Sequence, residues 1–316
     1  MIKQKFCIDN REISSNFPPY VIAEVSANHN GSIQRAKDTI LAAKNAGVDA
    51  VKIQTYTPDT MTIDVENTDF YIKEGLWKNR SLYDLYREAY TPYEWHEELF
   101  KFSNDIGVTL FSSPFDESAV DLLVSLNVPA FKVASFEVVD LPLIKYIASK
   151  KKPILMSTGM ASLEEIGNAV ESAKSAGNQD LALFHCISSY PALISESNLN
   201  LITILRKEFS IQVGLSDHTI GNLASVVATS LGASMIEKHF TLNRSEGGVD
   251  SSFSLEPKEM ELLVKQTREA FSALGCNTFA RSTSEESNKV FRRSLYFVKD
   301  VNEGDVITKE SVRRIR

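Results

Sequence analysis

Cysteine is scarce in this chain, with only Cys7, Cys186 and Cys276 in 316 residues. An odd, widely spaced set supplies neither a disulfide framework nor a CxxC zinc pattern, which predicts a reduced, cytoplasmic setting. No run reaches the about 20 apolar residues that span a bilayer. The N-terminal "MIKQKFCIDNREISSNF" also lacks the apolar stretch of a signal peptide, so no membrane partner is expected. Basic charge is in deficit: 34 Lys and Arg stand against 41 Asp and Glu, a net charge of −7. That balance argues against a nucleic-acid partner but leaves room for a local cationic pocket holding a small anion. A glycine-rich dinucleotide turn is missing as well, because the segment after the first apolar run reads "SANHNGS" rather than GxGxxG.

What the chain does have is alternation. Apolar, β-branched runs occur at 20–27, 50–56, 108–115, 130–137, 153–159, 181–188, 211–219 and 234–241, and each is followed by an amphipathic helical segment. One such helix opens on a capping box, Ser162 to Glu165. Strands apolar on both faces call for a parallel sheet, and eight units over roughly 250 residues match a closed (β/α)8 TIM barrel. The fold class is therefore α/β, and an open doubly wound sheet is the runner-up. Residues 1–19 read as an N-terminal extension or hairpin, 20–276 as the barrel, 277–290 as a polar linker and 291–316 as short strands around a "NEGD" turn.

In such barrels the chemistry collects at the C-terminal ends of the strands. There the runs turn polar: Glu24, Asn28 and His29; Lys52 and Gln54; Ser112, Ser113 and Asp116; Lys132, Ser135 and Glu137; Ser157 and Thr158; Ser188, Ser189 and Tyr190; Ser216, Asp217 and His218; Glu237, Lys238 and His239. Residues two apart on a strand share a face. His218 and His239 therefore converge from neighbouring strands, as a divalent metal site with open positions requires. A hydrogen-bonded pair without metal is the bland alternative. Lys52 and Lys132 inside a barrel call for an anion, a phosphate or carboxylate. A salt bridge from Lys52 to Glu24 or Glu237 remains open, as does a Schiff-base lysine. Glu137 is the candidate general acid/base, or else a partner of Lys132. "STG" (157–159) and "SSP" (112–114) offer backbone N–H groups to an anion. The segment 57–91, far longer than an ordinary βα loop, reads as an aromatic substrate lid or as a decoration of the rim.

Taken together, "IAEVSANHNGS", "AVKIQTY", "SSPFD", "FKVASFE", "STGMASLEE", "GLSDHT" and "EKHFTLNR…SFSLEP" resemble the sialic acid synthase family. Within it, "TYTPDTMTID", "FYIKEGLWKNRSLYDLYREAYTPYEWH" and "FRRSLYFVKD" are most similar to the branch that makes pseudaminic acid. The resemblance implies condensation of phosphoenolpyruvate with 2,4-diacetamido-2,4,6-trideoxy-L-altrose, with legionaminic or N-acetylneuraminic acid synthesis as alternatives. A Schiff-base aldolase and a non-catalytic sugar-binding barrel rank lower. The resemblance further implies a divalent ion, manganese first with magnesium or cobalt as alternatives, on His218 and His239. It implies that Lys52, Lys132, Ser135, Ser157 and Ser216 hold phosphoenolpyruvate, with Gln54 in the same site, and that Glu137 transfers protons. Glu24 and Asp250 match positions that touch the sugar, and Ser113, Ser188 and Tyr190 complete the substrate-binding set. Ser188 stands where neuraminate synthases often carry asparagine. The tail matches the opening part of the family's antifreeze-like (SAF) domain. Arg316 matches an arginine that reaches a neighbour's active site, which implies a homodimer.

Overall fold

The computed structural model describes residues 6–275 and 278–316. Cys276 and the expected barrel–linker boundary at 276/277 lie outside the described residues, as do residues 1–5 of the N-terminal extension. The chain divides into two compact units, Met1–Leu274 and Gly275–Arg316.

The first unit opens with an antiparallel hairpin, β1 (Phe6–Ile8) and β2 (Arg11–Ile13). Eight parallel strands then close into a barrel: β3 (Tyr20–Glu24), β4 (Ala50–Thr55), β5 (Thr109–Pro114), β6 (Phe131–Val133), β7 (Ile154–Ser157), β8 (Leu181–Cys186), β9 (Gln212–Asp217) and β10 (Met235–His239). Neighbours follow chain order, and β10 pairs with β3 to complete the circle. The TIM barrel read from the alternating pattern is the observed fold.

Between the strands run α1 (Ile33–Asn45), α2 (Pro58–Met61), α3 (Leu82–Ala89), α4 (Tyr93–Ile106), α5 (Glu117–Ser125), α6 (Leu141–Ser149), α7 (Leu163–Ser175), α8 (Asn200–Phe209) and α9 (Leu223–Ser230), with α10 (Pro257–Ala273) after the last strand. Strands such as β3 and β10 are buried at every position, between the barrel interior on one side and the helix ring on the other. The capping box opens α7 as expected: Glu165 N–H donates to Ser162 Oγ at 3.2 Å and Ser162 N–H to Glu165 Oε2 at 2.7 Å. Asp116 has the same kind of duty. Its carboxylate accepts from the N–H groups of Ser118 and Ala119, so it caps α5 and is not part of the polar ring it was expected to join.

The strands are shorter than the apolar runs that announced them. The run at 130–137 yields a strand only over Phe131–Val133, and Ser135–Val139 forms a 3₁₀ turn. The second unit, taken by itself, holds α11 (Thr283–Glu286) and an antiparallel pair, β11 (Ser294–Phe297) with β12 (Val312–Ile315). Among the described residues no helix is long and apolar enough to cross a membrane.

Candidate active site at the barrel mouth

Register decides which side chains meet inside. Ser216 faces Glu237 across the β9–β10 ladder, and Asp217 faces Lys238 on the next rung. Alternation sends Ser216, His218, Glu237 and His239 inward and the residues between them, Asp217 and Lys238, outward. Asp217 and Lys238, expected in the polar ring, instead pair with each other behind the wall, with Nζ 2.9 Å from Oδ2.

Glu237 is the hub of the interior, a role the sequence reading missed. Its Oε1 receives three donors: Ser216 Oγ at 3.0 Å, Lys52 Nζ at 3.3 Å and Lys132 Nζ at 3.4 Å. Burial alone would raise its pKa, but Lys132, Lys52 and Ser216 outweigh it and hold the carboxyl at about 2. Lys52 also reaches Glu24 Oε2 at 3.0 Å and Ser113 Oγ at 3.3 Å, so both salt bridges left open for it are made. Burial pushes Glu24 up to about 7, with Lys52 pulling the other way. Gln54 Nε2 donates to Glu24 Oε1 at 3.1 Å and to Ser26 Oγ at 3.0 Å. Lys132 donates to Ser157 Oγ at 2.6 Å and lies 5.1 Å from the Phe184 ring centre. Its carboxylate partner is Glu237, so the alternative that made Glu137 its salt-bridge partner is corrected.

Glu137 sits on the 3₁₀ turn with Oε2 buried and without a hydrogen-bond partner. Desolvation raises its carboxyl to about 7, with Asp140 adding to the effect. On the same turn, Ser135 Oγ accepts the N–H of Gly159 at 3.1 Å. A side chain at Gly159 would overlap Ser188 Oγ and Ser135 Oγ, so glycine is what lets the two hydroxyls flank it. The "STG" N–H groups are thereby spent, since Thr158 N–H goes to the Phe184 carbonyl and Gly159 N–H to Ser135. "SSP" is likewise part of a strand rather than a free loop, with Ser112 and Ser113 paired to Ile53 and Gln54.

The His218 and His239 rings lie 5.3 Å apart between centroids. His218 Nδ1 is 2.9 Å from the Ile187 carbonyl and 3.8 Å from Cys186 Sγ. Burial opposes charge on His218, but Cys186 outweighs it and raises the pKa. His239 goes the other way, driven well below its usual value by burial and then by His218. Its Nδ1 is 3.9 Å from Asp250 Oδ2. Asp250 is itself raised by burial, against the hydrogen bond from Ser26 Oγ.

Aromatic rings roof the histidines. Tyr190 stacks on His218 at 4.3 Å and meets Phe253 at 5.4 Å and Trp77 at 5.6 Å. Trp77 comes from the long 57–91 segment and donates Nε1–H to the Val249 carbonyl at 2.9 Å. This segment therefore reaches the site. Asn28 and His29 do not belong to it: Asn28 Nδ2 bonds the Phe240 carbonyl and Ser254, and His29 Nδ1 accepts the N–H of Gly31. Arg316 follows β12 in the second unit and is exposed.

The profile of the NeuB family matches residues 39–278. The chain belongs to the NeuB family. It is 46% identical over 297 residues to a pseudaminic acid synthase of Campylobacter jejuni, covering 94% of this chain and 87% of that protein. An N,N'-diacetyllegionaminic acid synthase of Legionella pneumophila is 36% identical over 307 residues, 96% of this chain and 86% of the relative. Among solved structures, an N-acetylneuraminic acid (sialic acid) synthetase from Leptospira borgpetersenii in complex with citrate superposes with a TM-score of 0.82 at 29% identity. It covers 92% of this chain and 96% of that one. The NeuB membership bears out the sialic acid synthase resemblance read from the motifs.

Proposed function

We propose that this NeuB-family chain is a pseudaminic acid synthase, condensing phosphoenolpyruvate with 2,4-diacetamido-2,4,6-trideoxy-L-altrose and releasing phosphate. One observation carries the reading: Lys52, Lys132 and Ser216 converge on a single buried carboxylate oxygen at the strand exits. The two buried lysines face Glu237, which is ionised, and Glu24, whose carboxyl sits at about 7 and is only partly ionised, so some positive charge is left that a small polyanion would neutralise. The high identity to the Campylobacter synthase supports the choice of acceptor.

Lys52 and Lys132 bind the carboxylate and phosphate of phosphoenolpyruvate, assisted by Ser135, Ser157, Ser216 and Ser113. Glu24, Gln54, Asp250, Ser188 and Tyr190 orient the sugar. The methylene carbon of phosphoenolpyruvate attacks the aldehyde carbon of the open-chain sugar, water adds at the cationic enol carbon, and phosphate leaves by C–O cleavage. Glu137, poised at about 7, supplies a proton to the new hydroxyl and takes one from the attacking water. The buried mouth keeps other water from the cation.

The histidine pair fits a divalent ion. The Ile187 carbonyl accepts from His218 Nδ1–H in the neutral ring, which leaves the Nε2 lone pair free for a metal, while His239 Nδ1 is buried without a hydrogen-bond partner. Among the described residues no group of three or more His, Cys, Asp or Glu side chains is placed to hold a metal ion, so the two histidines are the protein ligands this reading rests on. The ion, manganese with magnesium or cobalt as alternatives, would supply Lewis acidity toward the aldehyde oxygen.

The test is phosphate release from phosphoenolpyruvate with manganese, using the altrose sugar against N-acetylmannosamine. Release with the altrose sugar that chelator abolishes is the expected result. Release with N-acetylmannosamine alone would move the product to N-acetylneuraminate. Borohydride trapping on Lys52 or Lys132, indifferent to chelator, would replace the mechanism with a Schiff-base one.

A further inference from the structure

Behind the histidines lies a charged pair that the mechanism above does not use. Asp217 and Lys238 are opposite one another on the last rung of the β9–β10 ladder, each with a side chain only 1% exposed. β9 ends at Asp217, so the backbone ladder stops one residue before His218. The side chains continue what the ladder leaves off. Lys238 Nζ binds Asp217 Oδ2 at 2.9 Å and also donates to the Thr219 carbonyl at 2.5 Å. Asp217 Oδ1 in turn accepts from Thr219 N–H at 2.9 Å and Thr219 Oγ1 at 2.8 Å, and Ser225 Oγ of α9 secures Oδ2 at 2.7 Å. The residues on both sides of His218 are thus tied to the residue immediately before His239.

We propose that the Asp217–Lys238 pair is a positioning clamp that fixes the separation of His218 and His239 for a shared divalent ion, an inference that rests on the two-histidine reading above. A buried ion pair adds little net stability over a well-packed apolar pair, and its best-attested use is to fix register. Here register matters, because a one-residue slip would turn a histidine out of the barrel. Neither residue touches the reacting atoms. Both act through the backbone that carries the imidazoles.

The experiment is calorimetric titration of manganese chloride into chelator-stripped protein, run beside a thermal melt and a separate titration with phosphoenolpyruvate. The set is wild type, Asp217→Asn, Lys238→Met and the double variant Asp217→Leu/Lys238→Met. In Asp217→Asn and Lys238→Met the manganese Kd should weaken by about tenfold to a hundredfold, the range for groups that orient ligands. Phosphoenolpyruvate affinity should change less than about threefold, because Lys52 and Lys132 are untouched. The double variant removes both buried charges together, so its melting temperature should recover above the worse single variant, short of wild type because Thr219 N–H, Thr219 Oγ1 and Ser225 Oγ lose their acceptor, while its manganese affinity does not recover. It also decides the matter if a single variant does not fold. Recovery of manganese affinity along with the melting temperature would overturn the clamp and leave a structural pair. Manganese binding that persists at wild-type affinity in both His218→Ala and His239→Ala would overturn the two-histidine site itself, and the clamp with it.

Discussion

The two ends of the barrel are both buried, yet they are closed by opposite means. At the N-terminal end the β1–β2 hairpin supplies Phe6, Ile8 and Ile13, all packed into the core. The charge pair there is matched and only partly exposed: Arg11 pairs with Asp49, whose other oxygen accepts the Val21 N–H at 2.8 Å. At the C-terminal end Glu24, Lys52, Lys132 and Glu237 are each at most 4% exposed, and two lysines lean on one carboxylate oxygen. Burying an ion costs several kcal/mol, so a barrel that needed only a stopper would use the first solution at both ends. The second solution makes sense when a charged guest completes it.

The largest break in that contrast should come from Lys52→Met or Lys132→Met. Either change removes a cation from the anion site, and kcat/KM for phosphoenolpyruvate is expected to fall roughly a hundredfold to a thousandfold, the scale for losing one partner of a buried charge pair. The protein should still fold after Lys52→Met, because Glu24 already sits at about 7 and can take up a proton when its cation is gone. Steady-state kinetics with a melting curve at the same pH separates the two effects. Unchanged kinetics in both variants would remove the anion site from the reading.

Glu137→Gln is next. Loss of a positioned proton donor and acceptor is worth roughly 10²–10⁴ in kcat. The same residue leaves a signature in stability. Its folded pKa, about 7, is raised above the ordinary 4.5, so its contribution is fully present below 4.5 and is lost as pH rises through about 7. Glu24 adds a slope of the same sign. Glu237, held at about 2, acts in the opposite sense: its contribution is present above 4.5 and is lost as pH falls through about 2. In denaturant melts from pH 5 to 8 the wild type should therefore lose stability relative to Glu137→Gln as pH rises, while His29, His96, His185 and His239, all depressed by burial, add a slope of the opposite sign to both proteins and cancel in the difference. An identical slope in the variant would mean that Glu137 titrates as an ordinary surface carboxyl.

Much of this mouth was legible because strand alternation is a local rule. Spacing two apart put Lys52 with Gln54 and Glu237 with His239, and the structure places those side chains where the rule says. The same rule, followed through, turns Asp217 and Lys238 outward, and reading every polar residue near a strand exit as part of one ring obscured that. Glu237 shares its face with His239, so its role as hub was within reach once both lysines were placed inside. The 3₁₀ turn at 135–139 was not within reach. Its sequence, "SFEVV", is β-branched and aromatic and reads as strand, and only the early end of β6 reveals otherwise. Nor was the bond from Trp77 to Val249, because the two are 172 residues apart and no local pattern links them.

The smallest effect should come from the other end. Arg11→Ala removes the ion pair with Asp49, two hydrogen bonds to the carbonyls of Pro18 and Pro19 at 3.1 and 3.3 Å, and a contact over the Tyr20 ring at 5.0 Å. Asp49 is not stranded, because Val21 N–H still bonds it and Arg268 Nη2 stands 3.5 Å away. A partly exposed pair of this kind contributes about 1 kcal/mol or less, which lowers the melting temperature of a unit this size by roughly 2–4 °C. Turnover should stay within about twofold of wild type, since the residue lies at the far end of the strands from Lys52 and Lys132. A large loss of turnover in Arg11→Ala with little change in melting would mean that the two ends are coupled, and the division between a structural end and a chemical end would have to be abandoned.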